Sequence, residues 1–129
     1  MEGLDHITLY VGLTTGQVES ILAGGIALPL ESSQRFGLRV RKDEAVQRSH
    51  DFMEWERLYV NPAAGEFSHK DFTICTIRVT SIGYLQKSLG GILERTKPTE
   101  FRWKGGLQHK EVLSDGRVLY EFINYERII

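Results

Sequence analysis

Two stretches of this chain, about half its length apart, carry the same structural signals in the same order. Residues 4–11, LDHITLYV, alternate Ile7, Leu9 and Val11 with His6, Thr8 and Tyr10, the period-two pattern of a strand with unlike faces. Thr14 or Thr15 can cap a helix over residues 17–22, and Gly24-Gly25 stops it, because glycine accepts the left-handed conformation past a helix C-terminus. The order then recurs. Residues 71–79, DFTICTIRV, read as a strand, residues 81–89 as a helix and Gly90-Gly91 as its stop. Residues 8–11 align on 76–79, Gly24-Gly25-Ile26 on Gly90-Gly91-Ile92, Phe36 on Phe101, Ser49 on Ser114 and Glu56 on Glu121, and the offset drifts only from 68 to 65. A shared order at near-constant spacing predicts an internal duplication.

The remaining segments complete each unit. Residues 35–41 set Phe36, Leu38 and Val40 against Arg35, Arg39 and Arg41, which predicts a strand. A weaker strand follows over residues 43–48, Ser49-His50-Asp51 turns the chain, and FMEWERLYV, residues 52–60, returns as a fourth strand before Asn61-Pro62 breaks the pattern. In the second half, residues 99–104 and 107–125 read as strands, with Ser114-Asp115-Gly116 as a tight hairpin turn. The expected fold class is α+β, with two βαβββ modules over residues 1–62 and 71–129 and a linker over 63–70. Modules of about 60 residues cannot each bury a sheet face alone, so they should pair within the chain or between two chains. Sixteen Lys and Arg against 17 Asp and Glu give a net charge of −1, which provides no general field for nucleic acid or an anionic membrane. No apolar run approaches the roughly 18 residues a bilayer needs, and the acidic start is unlike a signal peptide, so a soluble cytoplasmic protein is expected. The single cysteine, Cys75, excludes an internal disulfide and a CxxC site.

The doubled βαβββ pattern, opening on GLDHITLYV and closing on SDGRVLYEFINYE, resembles the vicinal oxygen chelate superfamily, which includes glyoxalases, bleomycin-resistance proteins and extradiol dioxygenases. The resemblance implies a glyoxalase-like fold: a curled mixed sheet forming a cup, helices outside it and a divalent metal ion (Mn, Fe, Ni, Zn or Mg) within. It places metal ligands at His6, Glu56, Ile74 and Glu121. An alkyl group cannot ligate a metal, so Ile74 leaves the set at His6, Glu56 and Glu121, with open positions for water or for a substrate that chelates through two oxygens. Glu121 and Glu56 are then the expected catalytic groups for lyase, isomerase, transferase or dioxygenase chemistry. Many relatives are dimers, and a homodimer is expected here.

Strand parity assigns faces independently. If Ile7, Leu9 and Val11 meet the helix, His6, Thr8 and Tyr10 face away from it. A two-residue turn at Asp115-Gly116 sets Glu121 opposite Lys110. Tyr10, Arg78, Lys110 and Trp103 are the candidate substrate contacts. Several readings stay open beside the metal. Glu56 and Glu121 can form a charge network with Arg78 and Lys110 that needs no ion. Arg39, Arg41 and Arg78 can bind an anion or guard a strand edge. A metal-free small-molecule binder, similar to the bleomycin-resistance proteins, fits Ile74 best. Parity places Cys75 on the helix side as a buried structural thiol.

A third reading belongs to a different class. Residues 9–26, LYVGLTTGQVESILAGGI, are similar to the opening of ADP-ribosyltransferase toxins, and that resemblance implies Glu100, in TEFRW, as the catalytic acid. Its difficulty is the apparent duplication, which such a fold would not explain.

Overall fold

The computed structural model describes residues 7–29, 35–55, 72–80, 93–97, 99–103, 105–112 and 116–128. Strand β1, Ile7–Thr14, runs directly into helix α1, Thr15–Leu22. The junction is a capping box: Thr14 Oγ1 accepts from the Gln17 amide at 3.2 Å while Gln17 Oε1 accepts from the Thr14 amide at 2.9 Å. Gly24 ends the helix at φ +86°, as the glycine pair predicts. Strand β2, Phe36–Arg39, and helix α2, Lys42–Trp55, complete the described part of the first half. Strands β3 (Phe72–Val79), β4 (Leu93–Lys97), β5 (Glu100–Trp103), β6 (Lys110–Val112) and β7 (Val118–Ile128) follow.

The fold is α+β, and its seven strands form one curled sheet in the order β4-β5-β2-β1-β3-β7-β6, antiparallel at every described pairing. The expected mixed sheet is therefore corrected to an antiparallel one. The first-half strands β2 and β1 lie in its interior, with second-half strands on both sides. Helix α2 overturns the strands expected at 43–48 and 52–60 as far as Trp55. Ala45, Ser49 and Phe52 recur at helical spacing toward β1 and β3, and Asp43 and Glu44 occupy the first turn, where the helix dipole favours acids. Over its described residues the first half thus runs βαβα instead of βαβββ. Strand β4 lies where the sequence pattern predicts no element. The expected helix at 81–89, its Gly90-Gly91 stop and the linker at 63–70 lie outside the described residues.

Register divides the sheet into two faces. Leu9 and Val11 pair with Ile77 and Cys75, and Phe36 and Leu38 pair with Trp103 and Phe101. These residues form the main core with Val18 and Ile21 of α1, and with Ala27 and Leu107, whose backbones exchange two hydrogen bonds at 2.8 and 2.9 Å. Cys75 belongs to this core, as parity predicts, and burial pushes its thiol up to about 12. Helix α2 covers the opposite face at β1. A Cβ on Gly12 would lie 1.9 Å from Ser49 Oγ and 3.3 Å from Ser49 Cβ, so a larger residue here must displace the Ser49 side chain. Phe52 meets Phe72 edge-on at 5.8 Å, and Ile74, the register partner of Gly12, is buried. None of the described helices is long and apolar enough to cross a membrane.

Candidate functional site

Helix α2 crosses only part of its face of the sheet and leaves a cleft of about 580 Å³ beside it. Its floor is built by register. Arg39 on β2 lies opposite both Tyr10 on β1 and Glu100 on β5, and Gly37 lies opposite Arg102, so Arg39, Gly37, Glu100 and Arg102 all face away from the main core. Val11, Gly12 and Gln17, from β1 and the start of α1, close one side. Ala45, Arg48, Ser49, Phe52 and Trp55 of α2 line another, at the i, i+3, i+4 spacing of one helical stripe.

Glu100 sits at the first position of β5 and is 5% exposed. Its Oε2 accepts the Arg39 Nη2 at 2.9 Å. Gly37 leaves room beside it, since a Cβ there would stand 3.8 Å from the same oxygen. Around this pair the cleft presents Arg35, Arg48 and Arg102, so arginines outnumber carboxylates four to two on its lining, Asp51 being the second acid. The lining is therefore richer in guanidinium than in carboxylate groups, in a chain of net charge −1. Phe52 and Trp55, with ring centroids 5.9 Å apart, form an aromatic pair toward the far end of α2. Outside the cleft, the hydrogen bond from Arg41 holds the Asp43 carboxyl below its ordinary range.

Of the expected metal ligands, only Glu121 lies among the described residues, and it stands on this face outside the cleft. Glu121 on β7 is half-buried, opposite Arg78 on β3 and Lys110 on β6, the second pairing being the one predicted from the hairpin. Tyr10, Arg78, Glu121 and Lys110 share a face, as parity predicts. His6 and Glu56 lie outside the described residues. Among the described residues no three His, Cys, Asp or Glu side chains converge on a common point. Trp103 does not join the other candidate contacts: it is buried on the opposite face with Phe36, and its indole Nε1 donates to the Gly106 carbonyl at 3.0 Å.

Sequence reasoning singled out Arg39 and Glu100 but did not bring them together, and it passed over Gly12, Arg35, Arg48 and Arg102. The alternation of residues 35–41 was the available signal. It set Arg35 and Arg39 on one face, and β2 proves to be an interior strand, so Arg39 does not guard an edge. No protein-family model, curated protein or solved structure matches this chain.

Proposed function

We propose that the cleft is the active site of an ADP-ribosyltransferase-like enzyme, with a nicotinamide dinucleotide as donor and Glu100 as the catalytic carboxylate. One observation carries the proposal. The two stretches that carry that resemblance, residues 9–26 and 99–103, are far apart in sequence, yet Gly12 and Gln17 from the first and Glu100 from the second line the same cleft. The objection from duplication also weakens, because over its described residues the first half runs βαβα.

The chemistry suits the residues. Transfer breaks the bond between the ribose anomeric carbon and the pyridinium nitrogen, and the electron pair leaves with neutral nicotinamide. Positive charge then develops on the ribose, and a buried carboxylate stabilises it more strongly than one in water does. The acceptor oxygen or nitrogen forms the new bond and gives up its proton. Arg35, Arg48 and Arg102 supply guanidinium groups for the donor's phosphates, while Phe52 and Trp55 supply a face for a planar ring. Incubation with adenylate-labelled NAD, with protein and nucleic-acid acceptors offered separately, tests the reading. Label transfer or nicotinamide release that Glu100→Gln abolishes supports it. A wild-type protein that neither binds nor cleaves NAD refutes it.

The glyoxalase-like reading is the second proposal, favoured by the shared face of Tyr10, Arg78, Lys110 and Glu121. It assigns His6, Glu56 and Glu121 to a divalent ion and chelation chemistry to the cup. Roughly stoichiometric metal in the purified protein, lost in Glu121→Ala, would favour it. Absence of metal together with thermal stabilisation by an aromatic or charged compound would favour the metal-free binder.

A further inference from the structure

The glycosyl-transfer chemistry assigns no role to Arg39, the residue that grips Glu100. Arg39 and Glu100 are register partners on adjacent interior strands, so their side chains leave the sheet side by side on one face. Their ion pair, Nη2 to Oε2 at 2.9 Å, is nearly dry: the side chains are 14% and 7% exposed. A second carboxylate braces the same guanidinium. Glu44 Oε1, on α2, lies 3.7 Å from Arg39 Nη1 and accepts from Thr99 Oγ1 at 3.0 Å. Thr99 immediately precedes Glu100, and its carbonyl accepts the Val40 amide at 2.9 Å. Arg39, Glu44, Thr99 and Glu100 therefore close a ring that joins β2, α2 and the first residue of β5. One donor is left over: Arg39 Nε is buried and has no hydrogen-bond partner among the described residues.

We propose that Arg39 is the positioning residue of Glu100, fixing the carboxylate against the donor ribose through a fork braced by Glu44 and Thr99; this rests on the reading of Glu100 as the catalytic carboxylate. A planar guanidinium reaches two carboxylates at once in fixed geometry, which a lysine ammonium on a flexible stem does not reproduce. Charge alone is therefore insufficient at this position. An unmet buried donor is unfavourable, so this guanidinium is held in place at a cost in stability.

Arg39→Lys, Arg39→Met and Glu44→Gln separate the roles. With NAD as substrate, Arg39→Lys should lower kcat by about 10-fold or more and leave KM within about twofold, because an interaction made only in the transition state appears in kcat. Arg39→Met should lose at least as much, and Glu44→Gln should show a smaller change of the same kind. Wild-type kcat in Arg39→Lys would overturn the proposal. So would an effect confined to KM, which marks a phosphate contact, or one confined to melting temperature, which marks a structural pair. If the wild-type protein does not cleave NAD, the active-site reading fails separately, and thermal melting still tests the grip of Arg39 on Glu100. Arg39→Met should then melt several degrees below Arg39→Met/Glu100→Gln, because the single variant buries an unpaired carboxylate. Equal melting temperatures would overturn the pairing itself.

Discussion

Glu100 and Glu121 lie on the same face of one sheet, each opposite an arginine on a neighbouring strand, yet they occupy different chemical environments. Glu100 stands in the cleft beside α2, 5% exposed and held by a nearly dry guanidinium. Glu121 is half-buried, and its neighbours Arg78 and Lys110 are both exposed. Burial decides the strength of such pairs, since attraction between charges rises as water is excluded while an exposed pair is screened. A carboxylate with a charged neighbour is common, whereas one buried in an arginine-lined cleft is a candidate for chemistry.

Deleting each arginine tests this difference first. Arg39→Met leaves Glu100 buried without its partner and should destabilise the fold by about 3–5 kcal/mol, whereas Arg78→Met beside Glu121 should cost about 0–1 kcal/mol. Chemical denaturation of the two variants checks both numbers, and similar losses would remove the distinction.

Two glycines provide the next contrast. Gly12→Ala drives a Cβ into Ser49, and overpacking of this kind costs about 1–3 kcal/mol as α2 is pushed outward. Gly37→Ala meets only an ordinary contact with Glu100 and should stay within about 0.5 kcal/mol of wild type. If α2 sets the cleft, Gly12→Ala should also alter NAD binding, measured by titration calorimetry.

At neutral pH the smallest expected effect lies on the far side of the sheet. Burial raises the Cys75 thiol from an ordinary 9.0 to about 12, so the folded state favours the neutral form. That contribution is complete below pH 9 and is lost as pH rises from 9 toward 12, where only the unfolded chain would ionise freely. Cys75→Val should flatten this part of the stability curve, and native Cys75 should resist thiol reagents at pH 8. Rapid labelling of the folded protein would contradict its placement in the core.

Local patterns made much of this molecule legible. The alternation of residues 7–13, the Thr14 cap, the stop at Gly24 and the pairing of Glu121 with Lys110 all follow from short-range rules about side-chain parity, caps and turns. Helix α2 was obscured because its buried face is small and polar, Ala45 and Ser49, while Val46 and Phe52 fall where a weak strand pattern also places apolar residues. The cleft was hidden for a different reason. It depends on β5 pairing with β2, which sets Glu100 against Arg39 across 61 positions, and no local period encodes that register. The ordered matches between the two halves predicted strands where α2 stands, and the second helix and its glycine stop lie outside the described residues.

Nicotinamide release from NAD, followed side by side for the wild type, Glu100→Gln and Glu121→Gln, tests the central claim most directly. Loss of one buried catalytic carboxylate should lower the rate by about 100-fold or more in Glu100→Gln, while Glu121→Gln should remain within about twofold of wild type. A rate that survives in Glu100→Gln and collapses in Glu121→Gln would move the chemistry out of the α2 cleft and onto the β7 face.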